Sequence, residues 1–219
     1  MEELKRIAAY HAVEYVRDGM VVGLGTGSTA RYAVEKLGEM VGEGLDILGI
    51  PTSLETEQLA RKAGIPLSTI DEHDIDLTID GADQVDGNLN LIKGGGGALL
   101  REKMVASCSK DEIIVADESK IVDSFSFPLP VEVVKFGWKS VARKLKSMGF
   151  EPERREFVTD NGNYILDCRY VSIENAEETE KALNIIPGVV ENGLFIGLAS
   201  TVVVGTPDGV KTIEKCLLS

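Results

Sequence analysis

The chain has 219 residues, of which 43% are apolar, and its 23 basic and 36 acidic side chains give a formal net charge of −13. This size allows a sizeable core, in one large domain or in one domain with a small companion. The acidic balance argues against nucleic acid or an anionic membrane as the main partner, because both need a concentrated basic surface, whereas a small phosphorylated ligand needs only a few local donors.

The sequence also indicates the compartment. Residues 1–16 lack the pattern of a signal peptide, because charges interrupt the apolar positions and no small-residue cleavage site is present. No apolar run has membrane-spanning length. The cysteines Cys108, Cys168 and Cys216 lie far apart without metal-type spacing, which favours free thiols in a reducing compartment. We therefore expect a cytoplasmic protein without a zinc site.

The first half of the chain alternates helix-like and strand-like segments. Apolar residues recur at helical spacing in the helices, and short apolar runs bounded by glycine or polar residues indicate buried strands. Strands that alternate with helices indicate βαβ units and a parallel sheet covered on both faces. The predicted helices span residues 3–17, about 28–40, 53–63 and 98–107, and the predicted strands span 20–24, 45–50, 75–79, 89–92 and 112–116.

The pattern changes after Phe127-Pro128-Leu129-Pro130. The predicted order is then strand, helix, two strands around a turn at Asp160-Asn161-Gly162, helix and strand, which is typical of a ferredoxin-like α+β domain. Glu191-Asn192-Gly193 indicates a second hairpin, and an apolar strand over 199–204 is expected to return to the first sheet. The segments are 131–136, 139–148, 154–158, 164–170, 174–183 and 189–198.

The predicted fold class is therefore α/β, with two parts. A Rossmann-like parallel-sheet domain is expected to comprise residues 1–127 and 199–219. A second, smaller ferredoxin-like α+β domain is expected to comprise residues 128–198.

A glycine-rich segment, Gly23-Leu24-Gly25-Thr26-Gly27-Ser28-Thr29, lies between the first strand and a helix. Glycines let the backbone approach a ligand, and the unpaired N–H groups at a helix start favour a phosphate. The segment lacks the third glycine of a dinucleotide fingerprint and the lysine of a Walker loop. It therefore predicts phosphate binding or, equally, a tight turn with a Ser28 or Thr29 cap.

Asp80-Gly81-Ala82-Asp83 follows the strand predicted over 75–79. Ligands of open α/β sheets bind beyond the carboxyl ends of the strands, where both carboxylates can face a pocket and handle hydroxyl protons. The alternatives are an Asp-rich turn or a divalent-metal loop, although the polar residues that follow lack the spacing of a calcium loop.

Lys93-Gly94-Gly95-Gly96-Gly97 joins a strand to a helix. Four consecutive glycines are entropically costly, so they imply a sharp turn or a close approach to another group. A lysine at this place can stabilise a developing oxyanion. The alternative is a flexible linker with a solvated lysine.

Glu102 lies on the helix after the glycines, and its neighbours one turn away are apolar. Partial desolvation there raises a carboxyl pKa toward the range of a general base, although Arg101 and Lys103 have similar neighbours and most helix glutamates are solvated or paired.

The only histidines are His11, expected at the core edge, and His73, expected at the surface. Chemistry is therefore expected to depend on carboxylates and lysines.

Together these segments resemble the A-type ribose-5-phosphate isomerase family over essentially the whole chain. The matching motifs stand in the family's order and at its spacings. They are Gly25-Thr26-Gly27-Ser28-Thr29, Asp80-Gly81-Ala82-Asp83, Lys93-Gly94-Gly95-Gly96, Arg101-Glu102-Lys103, Ala116-Asp117-Glu118-Ser119-Lys120 and Phe127-Pro128-Leu129-Pro130-Val131-Glu132.

The resemblance implies an aldose–ketose isomerase that interconverts D-ribose 5-phosphate and D-ribulose 5-phosphate through an enediolate, in the non-oxidative pentose phosphate pathway. Glu102 matches the general base, Lys93 the residue that stabilises the enediolate, and Asp80 and Asp83 the acidic pair that assists ring opening. The resemblance also implies no cofactor, no metal, and a homodimer or homotetramer. The matching substrate-binding positions are Thr26, Gly27, Ser28, Thr29, Gly94, Gly95, Lys120 and Lys5.

One position departs from the family pattern. Gln84 stands where the family commonly has Glu, which puts a supporting role at that position in doubt and leaves the chemistry intact.

Other functions fit the sequence less well. A sugar-phosphate deaminase on this fold is expected to use a histidine, and neither histidine is well placed; a coenzyme A transferase is a further relative on the fold. A non-catalytic sugar-phosphate sensor is expected to carry a DNA-binding segment, and no spare basic segment is present. A nicotinamide dehydrogenase is disfavoured by the missing third glycine.

Overall fold

The computed structural model describes residues 1–215. Its helices are α1 (Glu2–Val13), α2 (Ala30–Gly42), α3 (Leu54–Lys62), α4 (Leu99–Cys108), α5 (Trp138–Ser147) and α6 (Ala176–Asn184). Its strands are β1 (Met20–Leu24), β2 (Ile47–Pro51), β3 (Ile75–Gly81), β4 (Gln84–Val85), β5 (Leu91–Ile92), β6 (Ser109–Asp117), β7 (Leu129–Val133), β8 (Glu151–Val158), β9 (Tyr164–Arg169), β10 (Val189–Asn192), β11 (Leu194–Phe195), β12 (Thr201–Thr206) and β13 (Gly209–Glu214).

The largest layer is a six-stranded sheet in the order β13-β12-β6-β3-β1-β2. All neighbouring strands are parallel except β13, which pairs antiparallel with β12. The predicted return of the apolar strand near residue 200 to the first sheet is confirmed, because β12 pairs with β6. The strand β13 was not predicted from the sequence.

Helices cover both faces of this sheet, which explains its continuous apolar strands. On one face, strand residues such as Leu77, Ile79 and Ile113 pack in one core with α1 and α2. On the other face, Val105 of α4 packs with Val21 and Ile50. Successive residues along one strand therefore point to opposite faces of the sheet. The polar residues described below lie on the face that α4 covers.

The second layer is a four-stranded antiparallel sheet in the order β10-β7-β9-β8. With α5 between β7 and β8, and α6 between β9 and β10, the chain order is β-α-β-β-α-β. The predicted ferredoxin-like arrangement is therefore confirmed. Leu129, Val131, Leu145, Leu166 and Leu183 form part of its separate core.

The hairpin predicted at Glu191-Asn192-Gly193 is wrong. β10 pairs with β7 in the small sheet, whereas β11 pairs with β5 in a third, three-stranded sheet of order β11-β5-β4. A Cβ at Gly193 would lie 2.4 Å from the Lys93 carbonyl oxygen, so the glycine permits a close crossing between the layers rather than a turn. The division into residues 1–127 with 199–219 and residues 128–198 stays a prediction.

The described cysteines carry no disulfide. Cys108 is exposed and Cys168 is buried, and both are free thiols; Cys216 lies outside the described residues. Burial raises the pKa of the Cys168 thiol to about 12, so it stays protonated at neutral pH. Within residues 1–215, every helix is too short or too polar to cross a bilayer.

Candidate active site

The candidate site lies where parallel strands of the large sheet end together. β1 pairs with both β2 and β3 in parallel, so the loops that follow these strands meet at one edge of the sheet. These loops carry Thr26 after β1, Thr52 and Ser53 after β2, and Asp83 after β3. This is the edge at which open α/β sheets bind ligands.

The loop after β1 needs glycine at two positions, for close packing against β3 at Gly25 and for its backbone conformation at Gly27. A Cβ at Gly25 would lie 2.3 Å from Asp80 Oδ1, and Gly27 has φ +110°, a conformation that favours glycine. The loop leads into α2, whose first residue is Ala30, and Thr29 makes no side-chain cap there. Ser28 Oγ accepts a hydrogen bond from Lys5 Nζ at 3.1 Å.

Thr26 holds the loop rather than offering its hydroxyl to solvent. Its Oγ1 lies 2.8 Å from Thr52 Oγ1, 2.8 Å from Ser53 Oγ and 3.1 Å from Thr56 Oγ1. Its backbone N–H donates to Asp80 Oδ1 at 3.0 Å. Ser53 also accepts from Thr56 N as the N-cap of α3, so this buried cluster joins the starts of two helices.

Asp80, Lys93 and Glu102 form a buried charged group, of which Lys93 and Glu102 reach the cleft. Lys93 Nζ lies 3.1 Å from Asp80 Oδ2 and 3.0 Å from Glu102 Oε1, and it also donates to the Gly81 carbonyl. Asp80 is fully buried, and Lys93 and Glu102 are 2% and 5% exposed. Phe195 closes one side, with its ring centroid 5.4 Å from Lys93 Nζ. Charges so buried are tolerated because they are paired.

The protonation of this group follows from its contacts. Burial acts to lower the pKa of Lys93, but the neighbouring carboxylates Asp80 and Glu102 overcome it and hold the pKa above its ordinary value. Burial raises the pKa of Glu102 to about 7, against the opposing effect of Lys93. The site therefore combines a permanently charged ammonium group with a carboxyl that titrates near neutral pH.

The glycine segment after β5 folds over Asp83. Gly95 N donates to Asp83 Oδ2 at 2.7 Å, and a Cβ at Gly95 would lie 2.4 Å from the Asp83 side chain. Gly94 and Gly97 have φ of +104° and +85°, and Gly97 N donates to the Gly94 carbonyl at 3.0 Å. The segment is thus a closed turn, and the alternative of a flexible linker is wrong.

Arg155 of the small sheet holds this turn from outside. Its Nη1 donates to the carbonyl oxygens of Gly94 at 3.2 Å and of Gly95 at 3.1 Å. Asp167 fixes the guanidinium through contacts of 2.9 Å at Nε and 2.6 Å at Nη2. The two carbonyls therefore point toward the small sheet. The sequence gives no local signal for Arg155, because the contact spans about 60 residues of chain.

A cleft with about 500 Å³ of empty space opens between these loops. Most of the predicted site residues line it, but Asp80 and Lys5 do not: Asp80 lies behind Lys93, and Lys5 is reached through Ser28. The lining residues are Thr26, Gly27, Ser28, Thr29, Gly81, Ala82, Asp83, Lys93, Gly94, Gly95, Gly96, Glu102 and Lys120.

Gln84, the departure from the family pattern, takes part in packing. Its Oε1 accepts from Ser126 N at 2.8 Å and Phe127 N at 2.9 Å, and its Nε2 donates to Ser126 Oγ at 2.9 Å. A glutamate lacks the amide donor for the last bond. Gln84 therefore fixes the segment that leads into the small sheet.

The cleft is suited to an anionic ligand with hydroxyl groups. The unpaired N–H groups at the start of α2 and the lysine side chains favour a phosphate, while Asp83 and Glu102 accept protons. Among residues 1–215, no group of three His, Cys, Asp or Glu side chains is arranged to hold a metal ion.

Comparisons with known proteins give one family. The family model described as ribose 5-phosphate isomerase A (phosphoriboisomerase A) matches residues 48–209. The ribose-5-phosphate isomerase A of Bacillus mycoides is 51% identical, with 96% of this chain and 99% of that protein covered. The protein of the same name from Rhodopseudomonas palustris strain TIE-1 is 52% identical, with 98% of each covered.

Solved structures agree over the same length. The ribose 5-phosphate isomerase A of Methanocaldococcus jannaschii has a TM-score of 0.95 at 46% identity, covering 98% of this chain and 99% of that chain. A D-ribose-5-phosphate isomerase in complex with phospho-erythronic acid has a TM-score of 0.94 at 44% identity, covering 97% of this chain and 98% of that chain. The chain belongs to the ribose 5-phosphate isomerase A family.

Proposed function

We propose that this protein interconverts D-ribose 5-phosphate and D-ribulose 5-phosphate by moving a proton between the first two carbons of the sugar. The observation that carries the proposal is the Glu102–Lys93 contact of 3.0 Å within the cleft. It puts a carboxyl with a pKa raised by burial to about 7 beside a cation that stays charged. A base and an oxyanion partner side by side are what an enediolate needs.

The phosphate of the substrate is assigned to the start of α2. Gly27, Ser28 and Thr29 line the cleft there, where the N–H groups of a helix start favour an anion, and Lys5 and Lys120 supply positive charge from two sides. The phosphate does not react, so its binding energy serves to hold the sugar carbons against Glu102.

The proton moves between the first two carbons in two transfers through Glu102. Glu102, ionised, takes the proton from C2 of the open-chain aldose, and the electron pair moves through C1 to the carbonyl oxygen, which becomes the enediolate oxygen. Lys93 stabilises that negative charge. The O2 proton passes to O1, and Glu102 returns its proton to C1, which gives the ketose.

Asp83 and Asp80 receive different tasks in this scheme. Asp83 lines the cleft and is assigned to ring opening and to the transfer of hydroxyl protons. Asp80 is fully buried and contacts Lys93, so it is assigned to keeping the ammonium charged and in place. Both remain parts of the acidic pair that the family resemblance implies.

The direct test follows ribulose 5-phosphate formation from ribose 5-phosphate by purified, chelator-treated protein, with wild type beside Glu102→Gln. We expect turnover in the wild type and a loss of about 10³-fold in the variant, because the amide cannot accept the proton. Phospho-erythronic acid should bind both proteins with similar affinity in calorimetry.

A charge-matched control is Glu180→Gln on α6, which removes a partly buried carboxylate from the same region without touching the cleft. It should retain turnover within a few-fold. Wild-type turnover in Glu102→Gln would remove Glu102 from the base role. Binding of the sugar phosphate without turnover in the wild type would favour a sensor over an enzyme.

The assembly and location are further parts of the proposal. We assign the protein to a homodimer or homotetramer in the cytoplasm, as the family resemblance implies. Light scattering of the full chain decides the assembly, with a monomer at micromolar concentration as the contradicting result.

A further inference from the structure

Glu112 is a buried carboxyl group that the proposed chemistry does not use. It lies on β6, is 1% exposed, and neither of its side-chain oxygens has a hydrogen-bond partner within residues 1–215. Its backbone is fully engaged, since its N–H donates to Ser200 Oγ at 3.2 Å and its carbonyl accepts from Ser200 N at 2.9 Å. A buried acid without a partner is costly, so its placement needs a reason.

The sheet register puts Glu112 behind the site. Glu112 pairs with Thr78 of β3, and the next residue on the same face of β3 is Asp80. This is the α4 face, because a Cβ at Gly23, the neighbour of Thr78 on β1, would contact both Thr78 and Val105. With strands about 4.8 Å apart and a rise of about 3.3 Å per residue, the backbones of Glu112 and Asp80 lie roughly 8 Å apart.

We propose that Glu112 is a positioning residue that sets the upper pH limit of the isomerase: uncharged, it leaves Lys93 to the substrate, and ionised, it competes for Lys93 and repels the anionic sugar phosphate. The inference rests on the proposed function. Glu112 does not line the cleft, so it acts through the buried charged group rather than on the substrate.

The groups around Glu112 support this assignment. Three charged groups of the site act on the pKa of Glu112, namely Asp80 of β3, Lys93 at the end of β5 and Glu102 of α4. A second buried lysine, Lys103 on α4, is already held by Glu180 at 3.0 Å and Glu191 at 2.7 Å. An ionised Glu112 therefore competes with Asp80 and Glu102 for Lys93, and Lys93 is the group assigned to the enediolate.

The ionisation falls in an accessible pH range. Burial raises the pKa of Glu112 to about 8, against the attraction of Lys93, and the charges of Asp80 and Glu102 raise it further. Glu112 is thus uncharged at neutral pH and becomes charged in mildly alkaline solution. A further buried negative charge then opposes entry of a ligand that carries a phosphate.

The experiment compares kcat/KM of wild type, Glu112→Gln and Asp111→Asn from about pH 6 to about pH 10. We expect the wild-type value to fall through an apparent pKa near about 8, and to fall about tenfold less in Glu112→Gln by the top of the range. Asp111 is exposed and adjacent on β6, so Asp111→Asn removes an equal charge and should follow the wild type. An unchanged alkaline fall in Glu112→Gln, or no fall in the wild type, overturns the proposal.

Thermal unfolding supplies a readout that does not depend on activity. The pKa of Glu112 is higher in the folded protein than its ordinary 4.5, so its contribution to stability is complete at low pH and is lost as pH rises through about 8. The Tm advantage of Glu112→Gln over wild type should therefore widen with pH.

A Tm difference that is constant with pH contradicts the uncharged state of Glu112 even if the enzyme assay fails. Glu112→Met, whose side chain is similar in length and apolar, should show the same widening of the Tm difference from wild type with rising pH. This variant controls for a defect that is specific to the glutamine amide. Absence of isomerase activity in all variants would overturn the proposed function, while the Tm comparison still decides the state of Glu112.

Discussion

At the level of single residues, the proposed function depends on one buried ion pair, Lys93 with Glu102, in which the carboxyl group titrates near neutral pH. Lys93 is surrounded by Asp80 and Glu102 at about hydrogen-bonding distance, so it stays charged despite being 2% exposed. Glu102 is the member whose proton can leave at neutral pH. A general base works best when its pKa lies near the working pH, and burial supplies that match.

This arrangement predicts an acid limb in the pH profile. The pKa of Glu102 is raised by burial to about 7, and only the ionised form is a base, so kcat/KM should rise with pH through about 7, below the alkaline fall assigned to Glu112. The measurement is the initial rate at low substrate across that range. The Kd of phospho-erythronic acid is measured over the same pH range. A change in Kd reports ionisation of the phosphate, whereas a change in rate without a change in Kd reports ionisation of Glu102. An activity limb near the ordinary value of 4.5 would contradict a desolvated Glu102.

Residue types were easier to predict than residue tasks. Lys93, Asp83 and Glu102 were recognised from their motifs, and all three line the cleft. The hydroxyl of Thr26 was expected at the ligand, yet it bonds Thr52, Ser53 and Thr56. No sequence pattern distinguishes a hydroxyl that faces a ligand from one that faces a helix start 26 residues later, because the difference lies in the tertiary packing.

At the scale of elements, the glycine turn after β5 is held by a strand of the other sheet. Arg155 on β8 binds the carbonyls of Gly94 and Gly95, and Asp167 on β9 fixes the guanidinium. The same glycine turn directs the backbone N–H of Gly95 toward Asp83. The small sheet therefore shapes the cleft although none of its residues lines it.

Arg155→Ala should loosen this turn and weaken substrate binding. Hydrogen bonds to a charged group are worth about 1.5–3 kcal/mol, so we expect KM and the Kd of phospho-erythronic acid to rise by about tenfold or more, with a smaller effect on kcat. Arg154→Ala is the matched control: the guanidinium of Arg154 lies over Tyr164 at 4.8 Å and Trp138 at 5.4 Å. If KM and Kd rose equally in both variants, the effect would come from the removed positive charge and not from the loosened turn.

Element types were predicted well where the apolar period was clear, and poorly at short strands. The six helices were all expected from sequence, with ends displaced by a few residues. The two-residue strands β4, β5 and β11 form a third sheet. β5 lies within the strand predicted over 89–92 and β11 within the segment predicted over 189–198, whereas β4 and the pairing of the three strands were not predicted. Their pairing depends on contacts between distant segments, as between Leu194 and Ile92, and a run this short has no period to recognise.

At the scale of the whole molecule, a hairpin tip ties the two main layers together. Asp160 Oδ2 accepts from Leu54 N at the start of α3 at 2.8 Å. Arg101, beside Glu102 on α4, donates to Asn161 Oδ1 at 3.0 Å. Glu132 holds the tip from within the small sheet through Thr159 at 2.8 Å. The tip thus connects the small sheet to two helices of the large layer.

Asp160→Ala should weaken this connection without disturbing either core. Loss of a carboxylate at a helix start costs about 1 kcal/mol, which predicts a fall in Tm of about 2–4 °C for a chain of this size. Asp208→Ala, at the exposed turn between β12 and β13, is the control and should leave Tm unchanged. Identical Tm values for wild type and Asp160→Ala would show that the tip does not stabilise the assembly of the layers.

The overall architecture was largely predictable, and its crossing points were not. Alternating strands and helices predicted the parallel sheet, and the β-α-β-β-α-β order predicted the small domain. Gly193 was assigned to a turn because glycine after asparagine is a common hairpin signal, whereas it serves the close approach of two layers. The two uses of glycine look alike in a single sequence.

The most direct test of the central claim is isomerisation in heavy water, with deuterium at C1 of the ribulose 5-phosphate product followed by NMR. Proton transfer through Glu102 predicts deuterium in the wild-type product, because a carboxyl in an open cleft exchanges its proton with solvent before returning it. With Glu102→Gln, no deuterium should enter C2 of the ribose 5-phosphate that is recovered unreacted. Product from that variant with wild-type rate and labelling would contradict the account.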